Sequence, residues 1–276
     1  MFGSMKTFSI TPREILASFW RNRSLIMALI KREVVGRYRG SIMGMLWSLF
    51  NPIFMLVIYT FVFSVVFKAR WSVGSESKTE FALMLFAGLM TFNLFAECIN
   101  RAPSLIISNV NYVKKVVFPL EILSWVTFGS ALFHYVVSLV VWLVASMILF
   151  DKLELTTLWL PVIIGPLVMI TLGLVWFLSS LGVYLRDVSQ IVGVLTSVLM
   201  FMSPIFYPIT ALPLEYRYLL EANPLTPAIE NARAVLFRGE LPDFASLGVS
   251  YLIGGIVLFL GFVWFQKTRK GFADVL

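Results

Sequence analysis

The sequence predicts an all-α integral membrane protein: six transmembrane helices, an N-terminal amphipathic interface helix and a helical re-entrant hairpin before the last span. Three observations predict it. Of 276 residues, 59% are hydrophobic and only 13% charged, about half the charge of a soluble domain. The apolar residues gather in runs close to the ~20 needed to cross ~30 Å of hydrocarbon, at 42–67, 81–98, 123–150, 157–184, 191–210 and 245–265. These runs are continuous rather than alternating, and a sheet edge in lipid would leave backbone groups unsatisfied. The whole chain, 1–276, reads as one transmembrane domain. Its single cysteine, Cys98, leaves no internal disulfide or cysteine-based metal cluster to expect.

The segment before the first span carries its own pattern. The first apolar run, 25–30, is short and boxed in by Arg21, Arg23, Lys31 and Arg32, so no removable signal peptide is expected. Thr11, Pro12 and Glu14 read as N-cap, N1 proline and capping-box glutamate. Beyond them Ile15, Leu16, Phe19 and Trp20 share a face that Arg13, Arg21 and Arg23 do not. Residues 11–35 therefore read as a helix in the interface plane, with a break expected near 21–24.

Span one opens with Arg37, Tyr38 and Arg39 at the membrane lip. Arginine at this depth either snorkels to lipid phosphates or forms a doorway for a phosphate-bearing lipid, whose oxygens match its forked donors. Gly36, Gly40, Gly44 and Ser48 recur every four residues, predicting a small-residue strip for close helix packing. A bend is expected at Asn51 and Pro52. Trp47, Phe50, Phe54 and Phe61 fall close to one helical face, with Tyr59 nearby. Such a stripe faces lipid, fills a core, or stacks against sugar rings.

Charge sets the orientation. With both termini cytoplasmic, 15 of the 22 Lys and Arg fall inside and seven outside, as the positive-inside rule requires. The net charge of +7 is thereby accounted for without nucleic acid. Inside the spans the ionisable residues are few: His134, read as a hydrogen-bonding packing residue, and Glu97, read as part of an ion pair at the cytoplasmic end of span two. That is thin for ion coupling. "VGSESKT" at 73–79 lacks the glycine that a phosphate-binding loop needs before its lysine. The serine–lysine spacing of "SESK" has no companion element either. No catalytic or metal-ligating set is expected.

Two cytoplasmic loops, 100–118 and 184–190, are candidates to dock a partner. Between the last two spans, 211–244 contains four prolines, yet 227–240 reads as an amphipathic helix stopped by Gly239. Ala228, Ile229, Ala232, Val235 and Leu236 form its apolar side, with Glu230, Arg233 and Arg238 elsewhere. A helix there suggests a hairpin dipping back into the protein.

The stretches "RYRGSIMGMLWSLFNP" (37–52), "YLRDV" (184–188) and "NPLTPAIENARAVLFRG" (223–239) resemble the membrane subunit of ABC-type polysaccharide exporters. These are type 2 permeases of bacterial inner membranes that move lipid-linked O-antigen, capsule or teichoic acid chains. The resemblance spans nearly the whole chain. It implies a multi-pass homodimer with both termini cytoplasmic and two separate ABC ATPase subunits. ATP and Mg would be bound by those partners and no cofactor by this chain. Arg37, Tyr38 and Arg39 would form the gate for an undecaprenyl-diphosphate-linked glycan. Trp47, Phe50, Phe54, Tyr59, Phe206 and Tyr207, with Met202, would face the sugar. Asn100, Arg101, Lys114, Lys115, Arg186 and Asp187 would couple to the ATPase. Three rivals stay open: a type 2 permease for a drug or small lipid, a membrane glycan-lipid transferase, and a membrane scaffold. The transferase needs clustered acids or histidines, and Asp187 has no second acid near it.

Overall fold

The computed structural model describes residues 10–62, 78–114, 118–151 and 153–276, and no strand occurs among them. The chain runs α1 (Pro12–Arg21), α2 (Arg23–Tyr38), α3 (Trp47–Phe61), α4 (Lys78–Arg101), α5 (Val110–Val113) and α6 (Ile122–Phe150). It continues through α7 (Leu160–Tyr184), α8 (Val188–Phe201), α9 (Leu214–Glu221), α10 (Leu225–Arg233), α11 (Phe244–Thr268) and α12 (Phe272–Val275). Five segments are long and apolar enough to cross a membrane: Gly44–Phe61, Thr79–Ser104, Ile122–Phe150, Leu155–Tyr184 and Phe244–Val275. The fifth expected span is shorter than 191–210. Its helix stops at Phe201, because Pro204 and Pro208 cannot donate to a continuing ladder. The distal end of span one, with Lys68 and Arg70, lies outside the described residues, as do Lys115, Lys152 and most of "VGSESKT".

Helix α4 is the axis. In its apolar window 89% of the residues are buried, against 6% in that of α3. It is surrounded by α3, α6, α7, α8 and α10, and its own bulky side chains, Leu83, Leu85, Phe86 and Leu94, are enclosed. A helix apolar on every side is stable only when enclosed like this or bathed in lipid.

The small-residue contact forms elsewhere than expected. Gly40 and Gly44 adopt positive φ (86° and 52°) in the turn between α2 and α3, and nothing packs where side chains on them or on Gly36 would project. The proposed strip on span one is therefore a hinge-like turn, which glycine permits because it lacks the Cβ that penalises left-handed backbone. The helix itself passes uninterrupted through Pro52. The intimate helix pair is α7–α11, where a Cβ on Gly261 would collide with the carbonyl of Gly173 and one on Gly173 with that of Val257. Backbones meet there directly.

At one end of the bundle α1 rests against the start of α6. Ser18 donates to Glu121 Oε1 (2.9 Å), Arg269 donates to Glu121 Oε2 (2.7 Å), and Trp176 Nε1 donates to the Glu121 carbonyl (3.0 Å). This pair is shielded, each side chain 7% exposed. It joins α1 and the segment after α11, so the two terminal regions lie at the same end. Ile15 is buried and Phe19 meets Trp125, while Leu16 and Trp20 stay exposed on the outer side of α1. The expected helix start is observed, but the capping box is not. The Thr11 side chain makes no cap bond, and Glu14 pairs with Arg21 at 2.6 Å.

At the opposite end α10 begins at Leu225, two residues before the expected Pro227. Asn223 Oδ1 accepts from the Leu225 amide (3.0 Å), and Pro227 in a first turn forfeits no helical bond. Gly239 ends the helical stretch with φ 70°. Its apolar residues are buried as expected, against α4 and α7. Arg233 is the exception, since the sequence placed it among outer charges and the structure buries it completely. Its Nε donates to Met84 O (2.9 Å) and Nη2 to Ile205 O (2.8 Å). Nη1 donates to Pro204 O and to Glu230 (2.8 Å). Those carbonyls belong to α4 and to the proline-broken segment after α8, which has no helical donors for them. Burial draws the guanidinium down to about 10, opposed by Glu230, so it remains a cation at neutral pH. Arg233→Gln is expected to cost about 3 kcal/mol by orphaning the Pro204 and Ile205 carbonyls and leaving Glu230 without its buried partner. The check is thermal melting of the purified protein in detergent, with Arg238→Gln, at a more exposed position, melting close to wild type.

Candidate functional site

A cavity of about 350 Å³ lies at the foot of α3, between α2, α3, α4 and α6. Polar side chains share its lining with apolar ones such as Met55, Phe86, Met90 and Leu94. Arg37 and Tyr38 reach it from the last turn of α2, and Ser48 and Asn51 from the first turns of α3. Asn93, Glu97 and Asn100 come from α4, and His134 and Ser138 from α6.

Its floor is an antiparallel ladder of charge. Glu33 and Arg37 stand four apart on α2, and Glu97 and Arg101 four apart on α4. The rungs cross: Arg101 pairs with Glu33, and Arg37 with Glu97 (2.6 Å). Arg101 Nη1 also lies 3.5 Å from Glu97. Spacing of four places both charges of each helix on one face, so α2 and α4 each offer an acid and a base in complementary order. Both helices lie against α6, which brings His134 to the upper rung.

His134 Nδ1 lies 3.0 Å from Glu97 Oε2, and Nε2 lies 3.1 Å from the Tyr38 hydroxyl. A carboxylate only accepts, so the network assigns the hydrogen to Nδ1 and leaves Nε2 to accept from Tyr38. Burial pushes the Tyr38 hydroxyl above its ordinary range, partly offset by Arg37. It therefore keeps its proton, as that assignment needs. Arg37 Nη1, 3.1 Å from Nδ1, then has no acceptor there, and its hydrogen bond to the ring goes to Nε2 at 3.4 Å. Arg37 is 40% exposed, whereas Glu97 and His134 are about half as open. The cavity thus presents a cation towards its mouth and keeps the anion behind it.

The expected site residues divide. Arg37 and Tyr38 enter the cavity, whereas Arg39 is exposed beyond the end of α2. Asn100 lines the cavity and Arg101 forms the lower rung. Lys114, Arg186 and Asp187 are exposed, and Asp187 precedes α8. Lys115 lies outside the described residues. Of the aromatics, Trp47 (42%) and Phe54 (53%) are exposed on α3, with Phe50 6.0 Å from Phe54 ring to ring. At 100° per residue, the cavity-lining Ser48, Asn51, Pro52 and Met55 stand about a third of a turn from that stripe. Tyr59 lies on the cavity side, packed against the core around α4. Phe206 stacks on Phe201 (5.7 Å), and Tyr207 donates to the Phe201 carbonyl (2.7 Å). The single chain sets α3 against α4 and α6, and α8 against α4 and α7.

Sequence reasoning passed over Glu33, Asn93 and Arg32. The last donates to the Tyr112 hydroxyl (2.8 Å) and so ties α2 to the loop after α4. Tyr112 in turn stacks on Phe118 at 4.2 Å. The matched four-residue spacing of Glu33/Arg37 and Glu97/Arg101 was the available signal.

The profile of the family described as ABC-2 type transporter matches residues 24–237. The O-antigen export system permease protein RfbA of Myxococcus xanthus is 26% identical over 262 residues, covering 94% of this chain and 98% of its own. The protein of the same name from Klebsiella pneumoniae is 25% identical over 253 residues, 91% and 95% of the two chains. The polysialic acid transport protein KpsM of Escherichia coli is 23% identical over 253 residues, 89% and 93%.

Breaking either partner of the lower rung should loosen α2 from α4. Glu33→Gln and Arg101→Gln are each expected to cost about 1 kcal/mol and the double variant little more than either. A double-mutant cycle of melting temperatures in detergent checks this coupling.

Proposed function

Because this chain belongs to the ABC-2 type transporter family, we propose that it is the membrane subunit of an ATP-driven exporter of lipid-linked polysaccharide, of O-antigen or capsule type. The family is one of transport subunits, and the ATPase is a partner chain. Relatives named for O-antigen export and polysialic acid transport, aligned over about nine-tenths of this chain, support the substrate class.

One observation carries the reading: a cation-bearing cavity opens at the foot of a spanning-length helix that is almost wholly uncovered. Lipid alone suits the apolar stripe of α3 but not the polar pocket at its base. A second copy of the chain, meeting α3 and α8, would enclose both in one pore. Short α8 would complete a sixth crossing together with the proline-broken segment that Arg233 holds.

The residues then take the following roles. Arg37, supported by Tyr38, receives the diphosphate of an undecaprenyl-linked glycan at the cytoplasmic mouth, while Arg39 collects anionic headgroups outside it. Trp47, Phe50 and Phe54 on α3, with Phe206 and Tyr207 after α8, stack on successive sugars. Each stacking contact is modest and sequence-tolerant, which lets a polymer slide. The ATPase presses on the loop after α4 and on the segment containing Arg186 and Asp187. Arg101 sits where α4 meets that loop and grips Glu33, and Tyr112 of the loop grips Arg32, so the push reaches α2 and hence Arg37. Helix α1 and the segment after α11 share one end of the bundle, the basic end, which supports a cytoplasmic location for that end in a bacterial inner membrane.

Trp47→Ala and Tyr207→Ala should each lower surface polysaccharide clearly below the wild-type level by loss of one stacking ring, with the ATPase still co-purifying. Normal surface polymer in both variants would remove the stacking role. An export defect that appears with a drug or a small lipid, and not with polymer, would favour the rival type 2 permease.

A further inference from the structure

Arg37 in this structure is already occupied by an anion of the protein itself. Glu97 holds it at 2.6 Å and is held in turn from two other sides, by His134 Nδ1 at 3.0 Å and Arg101 Nη1 at 3.5 Å. Those other holders matter. A half-buried carboxylate abandoned by its only cation is costly, whereas one that keeps the His134 hydrogen bond and a second guanidinium 3.5 Å away can release Arg37 cheaply. Arg37 is also the most exposed member of the cluster, so an incoming anion can reach it without first opening the cavity.

We infer that Glu97 is a resident counter-anion that sets the charge threshold for binding at Arg37. An incoming polyprenyl diphosphate displaces it, whereas a singly charged lipid phosphate does not. The inference rests on the reading that Arg37 receives the diphosphate. Coulomb attraction scales with charge, so a headgroup with more than one negative charge outcompetes a carboxylate already in place. The phosphodiester of a bulk anionic phospholipid carries one charge and gains nothing over Glu97. When the diphosphate arrives, the carboxylate stays with His134 and Arg101. When it leaves, Glu97 returns, so the site does not fill with the membrane's abundant anionic lipid. The substitution Glu97→Gln, neutral and nearly the same size, would remove the threshold while keeping the shape of the side chain.

The test is binding of farnesyl diphosphate to the full chain in phosphatidylcholine nanodiscs, repeated in discs half phosphatidylglycerol. In phosphatidylcholine, Glu97→Gln is expected to bind about fivefold more tightly than wild type, the loss of one partly exposed ion pair, and Arg37→Gln more weakly. In the mixed discs the ratio of Glu97→Gln to wild-type affinity should fall towards one, because phosphatidylglycerol now competes. If Glu97→Gln does not fold, Glu97→Asp, whose shorter arm reaches Arg37 less well, carries the test with a smaller gain. Weaker binding by Arg37→Gln without any gain from either Glu97 variant would overturn the exchange and leave the diphosphate site standing. No effect of either residue would overturn both. A gain that persists in the Arg37→Gln/Glu97→Gln double variant would also overturn the exchange, by placing the cation elsewhere.

Discussion

The organisation of this protein turns on the crossed ion pairs between α2 and α4. In a chain with so few charges in its spans, Glu97 can enter the end of an enclosed helix only because cations meet it there. The cations are Arg37 from α2 and Arg101 from its own helix, and the ring of His134 on α6 adds a hydrogen bond. Buried or half-buried ions are costly unless paired and hydrogen-bonded. The need to pair Glu97 therefore fixes where α2 lies. Fixing α2 places Arg37 at the mouth of the cavity and sets the turn that leads into α3. A second shielded pair, Glu121 with Arg269, anchors α1 and the end of α11 nearby, so the whole basic end is built on two such clusters.

Between its two ends the molecule changes its means of cohesion. The basic end is held by ion pairs that can be rearranged. The middle is held by packing, with α4 sheathed by its neighbours and α7 meeting α11 backbone to backbone at Gly173 and Gly261. The far end is held by one enclosed guanidinium, Arg233, bound to the Pro204 and Ile205 carbonyls that proline-broken backbone leaves over and to the Met84 carbonyl of α4. Such a distribution suits a transport subunit. Under the proposed function, the packed axis would carry the displacement and the ion-paired end would face the ATPase and exchange partners.

Hydropathy made most of this fold legible. The spans at 123–150, 157–184 and 245–265 match their helices to within about three residues at each end, because continuous apolar runs in lipid have no alternative but helix. The burial of Ala228, Ile229 and Ala232 also followed from helical spacing. The misplacements share a cause, that local pattern does not report tertiary partners. Gly36, Gly40 and Gly44 fit a packing strip by spacing, yet positive φ at two of them makes a turn. Arg233 looked like solvent charge because its acceptors lie in α4 and after α8, far along the chain. Span five looked long because hydropathy does not register the missing proline donors. For the site, Arg37 and Tyr38 were visible as polar residues at an apolar boundary, and Glu97 as an ion-pair member. The junction of Glu97 with Arg37 and His134 required three separated segments to meet, and only the matching four-residue spacings hinted at it.

The most direct test of the account is where the lipid diphosphate touches the chain. A polyprenyl diphosphate carrying a photoreactive group beside its phosphates, irradiated with the complete transporter in membranes and mapped by mass spectrometry, gives that contact by residue. The account predicts labelling of Asn51, Asn93 or Asn100, the cavity residues around Arg37. Labelling confined to the outer faces of α7 and α11, with none in the cavity, would contradict it.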